Sequence, residues 1–213
     1  MKKLLNFIFN KLRELEWLVY KKRKRWRLKN QDVTIISSNC SGALMYYDLG
    51  MKYRTPTVNL SMEMDDFVKM AGNLRWYMEQ EPVESEEKAT CPVGLLGDIK
   101  IYFIHYHSFD EGRRKWEERK QRINWENIMI IGSEKDGCTY ETIKKFEQLP
   151  FKNKVIFTRI EYPEFPSACY IKGFEDQKEL GVITYFKKQV LKRRYLDDFD
   201  YVSFLNKMKK DRA

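Results

Sequence analysis

Three short runs of branched apolar residues recur along this chain, each separated from the next by segments of helical period: VTIIS at 33–37, NIMII at 127–131 and KVIFT at 154–158. Such runs are too short for buried helices, and their near-continuous apolarity suits strands covered on both faces. Strands alternating with helices argue for a mainly parallel sheet, because parallel neighbours need a crossover connection. The expected fold is a single three-layer α/β domain over residues 31–213, preceded by a separate helix over residues 1–30. With 213 residues the chain is long enough to bury a real core.

The elements follow from local chemistry. After the 33–37 strand, the small polar cluster Ser38-Asn39-Cys40-Ser41-Gly42 makes a tight turn into the helix ALMYYDL, which Gly50 stops. PTVNL at 56–60 reads as a further strand. Asp65 or Asp66 is placed to cap a helix running through Phe67, Met70, Leu74 and Tyr77. The acidic stretch 81–90 reads as a loop. Residues 93–96 and 99–105 flank Gly97-Asp98, a hairpin dipeptide. A charged helix is expected over 110–125, and a second, capped by Thr139, over 139–149. The last third offers the short strand ACYIK, then helices in GVITYFKKQVLKRRYL and DFDYVSFLNKM.

Charge is distributed unevenly. Residues 1–30 hold eleven Lys or Arg and two Glu, which accounts for the whole net charge of +9; residues 31–213 hold 29 of each sign. A nucleic-acid-binding domain carries its basic footprint on the folded body, so nucleic acid is not the expected partner. Within the first segment Leu5, Ile8, Leu12, Leu15 and Val19 keep helical spacing, and Leu4, Phe9 and Leu18 widen the stripe. KKRKRWRLK at 21–29 follows, seven of its nine residues basic, with Trp26 among them. An apolar stripe beside a cationic cluster and an indole suits an anionic membrane surface. The competing reading packs the stripe onto the domain and leaves the basic end solvated. No segment has the roughly 20 uninterrupted apolar residues of a spanning helix. No secretory signal is read at the start, and the four cysteines form no CxxC pair, so a cytoplasmic protein without a zinc site is expected.

Four blocks in order, TIISSNCSGALMYYDLGMKYRTPTVNL (34–60), CPVGLLGDIKIYFIHYHS (91–108), KWEERKQRIN (115–124) and DGCTYETIKKFEQLPFKNKVIFT (136–158), resemble an uncharacterised bacterial family of exopolysaccharide biosynthesis proteins, a domain-of-unknown-function family. The resemblance implies a cytoplasmic protein from a capsule or exopolysaccharide gene cluster, a transferase or saccharide-modifying enzyme. It carries no catalytic residues over and names no cofactor.

Candidate site residues come from strand ends, since ligands in open α/β sheets bind beyond the carboxyl ends of the strands. Asn39, Cys40, Ser41 and Gly42 stand where strand passes to helix, a position whose free N–H groups receive an anion and lower a thiol pKa. The plainer reading makes Cys40 a small buried residue in a turn. His105 and His107 are the only histidines, and either strand-end imidazole suits a general base for a sugar hydroxyl; the family resemblance, whose block reads more like HYxS, implies His105. Asp136, in the turn after NIMII, can orient that histidine or simply make the turn; Asn59 has the same ambiguity. Trp116, Arg119 and Arg122 share a helical face, offering a stacking plane and phosphate donors, or alternatively a core anchor beside a solvated salt-bridged face. No metal-ligand spacing is present.

The expectation is a transferase on the inner face of the cell membrane, acting on an activated sugar or lipid-linked saccharide, with glycosyl favoured over acyl transfer. His105 is its base, with Arg119 and Arg122 on the phosphate. Two alternatives stand: a hydrolase or acyltransferase using Cys40 with His105 and Asp136, and a non-catalytic adaptor tethered by residues 1–30.

Overall fold

The computed structural model describes residues 2–208, without the side chains of Lys2, Leu4 and Leu5, so the stripe positions Leu4 and Leu5 lie outside the described side chains. The three branched runs form neighbouring parallel strands: β1 (Thr34–Ser37), β5 (Ile128–Ser133) and β6 (Lys154–Thr158), with β7 (Ala168–Tyr170) at the far edge in the order β1-β5-β6-β7. Successive residues point to opposite faces. Ile36, Ile130 and Ile156 therefore enter one core while Ile35, Met129, Ile131, Val155 and Phe157 enter the other.

The first core is covered by α3 (Met64–Gly72), α4 (Leu74–Glu79), α5 (Phe109–Lys120) and α6 (Tyr140–Glu147). It also takes the small antiparallel sheet of β2 (Val83–Glu84), β3 (Val93–Leu96) and β4 (Ile99–Tyr102). The second core is closed by α2 (Ser41–Leu49) and α7 (Tyr201–Lys207). The expected three layers and mainly parallel sheet are present. Gly50 ends α2 at φ 68°, its N–H donating back to the Tyr46 and Tyr47 carbonyls. Thr139 caps α6 in a reciprocal box with Thr142.

Helix α1 (Lys2–Arg27) packs on the second core through one face only. Trp17 and Lys24 are buried on that face, and Leu28, just past the helix end, enters the core itself. The opposite face carries Ile8, Leu12, Leu15, Val19 and Trp26, all exposed, Trp26 at 87%. The described positions of the stripe are thus exposed.

Several expected elements differ. PTVNL forms turns instead of a strand: Pro56 has no N–H to give a ladder, and Asn59 sits at φ 65°. This segment still covers the free edge of β1, where the Thr57 hydroxyl accepts from the Ser37 N–H. The helix expected through Tyr77 breaks at Asn73, and Asp65 and Asp66 fall in its first turn, Glu63 being the cap residue. Within the acidic loop, Val83 and Glu84 pair with β3. Residues 181–196 make an irregular hairpin, not a helix. Its arms are joined by Leu196 N–H to Ile183 O at 2.8 Å and Lys187 N–H to Arg193 O at 2.8 Å, and a 3-10 turn (Tyr195–Asp198) follows.

Candidate functional site

Beyond the carboxyl ends of β1 and β5 lies a crevice of about 360 Å³. It is lined by Asn39, Cys40 and Ser41 from the first turn, Ser133, Lys135 and Asp136 from the second, and His105 with Ser61 from the connecting segments. The base of the 181–196 hairpin, Gly181 to Tyr185, forms the remaining wall. A smaller hollow of about 280 Å³ shares Cys40, His105 and Thr184 with the crevice and adds Tyr47, Tyr53 and Asn59. Five of the residues proposed from the sequence, Asn39, Cys40, Ser41, His105 and Asp136, thus line one crevice.

Each is positioned by local chemistry. The Asn39 carboxamide oxygen accepts from the Ser41 N–H at 3.1 Å and the Ser41 hydroxyl at 2.7 Å, which fixes the turn into α2. Gly42 lets that helix approach the sheet: a Cβ there would stand 2.9 Å from Ser37 Cβ and 3.0 Å from Ile35 Cγ2. Gly42 is therefore a packing residue that does not line the crevice, and the Ser37 hydroxyl accepts its N–H. Burial pushes the Cys40 thiol above its ordinary pKa, the opposite of what an activated nucleophile needs.

His105 is not on a strand, because β4 stops at Tyr102. Instead it occupies a turn closed by the Tyr106 N–H to the Phe103 carbonyl at 3.1 Å. Phe103 roots the turn in the core, while the Tyr106 hydroxyl donates to Val58 O at 3.0 Å. His105 is left exposed between these two anchors and faces the crevice. His107 leaves it; its N–H donates to Glu111 at the start of α5.

Asp136 and Asn59 are the only described non-glycine residues with positive φ, at 53° and 65°, and both border the site. Backbone held in that region is a recurrent feature of functional positions, although Asn and Asp tolerate it better than most. Burial raises the Asp136 carboxyl pKa, and the charges of Glu179 and Glu63 add to the rise; Lys135 and a hydrogen bond with Ser61 oppose it. Lys135 stands 2.6 Å from Glu179 and 3.9 Å from Asp136.

The third expected group does not join the site. Trp116 is buried in the first core at 1% exposure, so its indole cannot offer a stacking plane. Arg119 donates to Tyr106 Oη at 2.7 Å and to Val58 O at 3.3 Å, and lies over the Tyr53 ring. Arg122 donates to Tyr53 O and pairs with Glu118. Both guanidiniums hold the 53–58 segment, and Arg119 additionally steadies the turn that presents His105. The lysine that does line the crevice is Lys135, a residue the sequence reading omitted although it stands in a strand-end turn. Ser61, Thr184 and Tyr185 had no such signal. Among the described residues no group of three or more His, Cys, Asp or Glu is arranged to hold a metal ion.

Residues 11–206 match the family described as Domain of unknown function (DUF1919), a span containing every residue of the crevice. An "Uncharacterized protein" of Haemophilus influenzae (strain ATCC 51907 / DSM 11121 / KW20 / Rd) is 43% identical over 180 residues, covering 84% of this chain and 87% of its own length.

Proposed function

We propose the following reading for this chain, which belongs to the DUF1919 family: a transferase of bacterial surface-polysaccharide synthesis, working on the inner face of the cell membrane. The single observation that carries it is the convergence of His105, Lys135, Asp136 and the Asn39–Ser41 turn in one strand-end crevice. The polysaccharide setting rests on the four-block resemblance.

The chemistry is a direct displacement. His105 takes the proton of an acceptor hydroxyl as its oxygen bonds to the anomeric carbon of an activated sugar. The bond from that carbon to the phosphate oxygen breaks, and the departing anion moves toward the ammonium of Lys135, which lines the crevice. Asp136, opposite Ser61, orients the acceptor. Glycosyl transfer fits an oxygen nucleophile better than thiol-mediated acyl transfer does, since the Cys40 thiol is held protonated. What supports membrane docking is the exposed apolar face of α1 beside its basic end, in a chain where no described helix is long and apolar enough to cross a membrane.

The test measures transfer from a panel of radiolabelled nucleotide sugars into bacterial membrane extract. His105→Ala is expected to lower turnover by about 10²–10⁴-fold, the usual contribution of a general base, whereas Cys40→Ser retains it. Unchanged turnover in both His105→Ala and Lys135→Ala would overturn the mechanism, and absence of transfer with the parent chain would favour the adaptor reading. Loss in Cys40→Ser with His105→Ala active at a lower level would move the protein to the cysteine-dependent class.

A further inference from the structure

The crevice does not end at its own wall. Lys135, Gly181, Val182 and Tyr185 also line a second, larger groove of about 910 Å³ that runs along the 181–196 hairpin. Its far end abuts α1: Phe186 packs edge-on against Trp17 at 5.3 Å, and the Gln189 carbonyl accepts from Arg13 at 3.4 Å. The groove therefore connects the strand-end crevice with the helix that carries the exposed apolar stripe.

Its lining has a definite chemical character. Two of its lysines are already matched, Lys135 by Glu179 and Lys187 by Asp198. Lys172 and Lys188 form no ion pair within 4 Å among the described residues, Lys172 feeling only the more distant Glu175 carboxylate, so they leave cationic charge in the groove. The Tyr185 ring is 67% exposed at the junction with the crevice, and Tyr195 lies further along. An open aromatic face offers an apolar plane with a polar tip, and ammonium groups beside it favour negative charge. A purely apolar acyl chain would leave these lysines desolvated without partners. A nucleic acid would call for a larger basic surface than two unmatched lysines on a body without net charge.

We infer that this groove is the acceptor subsite and takes an oligosaccharide chain bearing negative charge, its reacting end in the crevice and the rest extending toward α1. The inference rests on the transferase reading and names its acceptor class. Sugar rings lie on Tyr185, and carboxylate or phosphate groups along the chain meet Lys172 and Lys188. The route toward α1 is the one that a saccharide linked to a membrane lipid would follow.

Calorimetric titration of the full chain tests this without turnover, using hexagalacturonate as the anionic probe, maltohexaose as the neutral one and polyglutamate as a polyanion without sugar. Hexagalacturonate is expected to bind, more weakly as salt rises, with maltohexaose and polyglutamate at least about tenfold weaker. Lys172→Gln/Lys188→Gln and Tyr185→Ala are each expected to weaken hexagalacturonate about tenfold, at an unchanged melting temperature. Absence of binding, equal binding of either control, or full affinity in the double lysine variant overturns the inference. Should Tyr185→Ala fail to fold, the double lysine variant decides alone. A failure here leaves the His105 result standing, and an inert His105→Ala leaves the groove's affinity standing.

Discussion

Asp136 combines a left-handed backbone with a carboxyl whose pKa burial raises. A carboxyl with a folded pKa above its unfolded value binds its proton more tightly in the native state. Stability therefore falls as pH rises through that interval, and above it the ionised group is a standing cost. Asn keeps the left-handed conformation and can still accept from Ser61, while removing the charge. Asp136→Asn is accordingly expected to raise the melting temperature at pH 7, with the advantage shrinking as pH falls toward and below the ordinary carboxylate range. The same variant is expected to lower turnover, since stability given up at a site is characteristic of residues kept for activity. Melting curves of the two proteins across pH 3–8 check the first half; an advantage that grows on acidification would contradict it. Arg119 illustrates the converse at this scale. It looked like a phosphate donor because a guanidinium beside an indole has that chemistry. Its carbonyl partner, Val58, is 61 residues away, and spacing along a helix cannot reveal that.

Helix α1 is fastened by a buried ion pair, Lys24 to Asp197 at 2.5 Å, with side chains 5% and 3% exposed. Lys24 also lies over the Tyr201 and Tyr20 rings, and Asp197 accepts in addition from the Arg194 N–H. Burial lowers the Lys24 pKa, so the ammonium depends on its partner to stay charged. Asp197→Leu is expected to cost about 3–5 kcal/mol, because an uncompensated buried charge is left behind. Lys24→Met together with Asp197→Leu is expected to recover most of that loss, since an apolar pair of similar volume removes the desolvation cost. Urea titration measures both, and a double variant no more stable than the single one would show that the pair is not what matters. Elements were legible where one local rule governed them: the β-branched strands, the Gly50 stop, the Thr139 cap and the Gly97-Asp98 hairpin all appear where expected. The 181–196 segment was not. Its apolar residues keep a helix-like spacing, yet Ile183 is buried while Val190 is 69% exposed, because α1 grips the hairpin through Glu14–Lys192 and Glu16–Arg193. The crevice was half legible for the same reason. Strand-end turns announce themselves in sequence, whereas Thr184 and Tyr185 arrive from that misread segment.

At the scale of the whole molecule, α1 divides its duties between two faces. The inner face carries ion pairs and Trp17; the outer face holds an apolar row that stays exposed. Changes on the outer face should therefore leave folding alone, which makes docking separable from stability. Burying a leucine side chain contributes about 1.5–3 kcal/mol, so Leu12→Glu/Leu15→Glu should weaken attachment to a bilayer by at least about a hundredfold. Each basic residue near an anionic surface adds about 1 kcal/mol, so Lys22→Gln/Arg23→Gln should weaken it by about thirtyfold and flatten its salt dependence. Co-sedimentation of the full chain with phosphatidylglycerol vesicles measures both effects, with phosphatidylcholine vesicles as the uncharged comparison. Melting temperatures of the variants should match that of the parent. Failure of the parent to sediment with anionic vesicles at physiological salt would remove the membrane from this picture. The stripe would then need a protein partner, because seven large apolar side chains of α1 from Phe7 to Val19 are 46–59% exposed, more surface than scattered exposure accounts for.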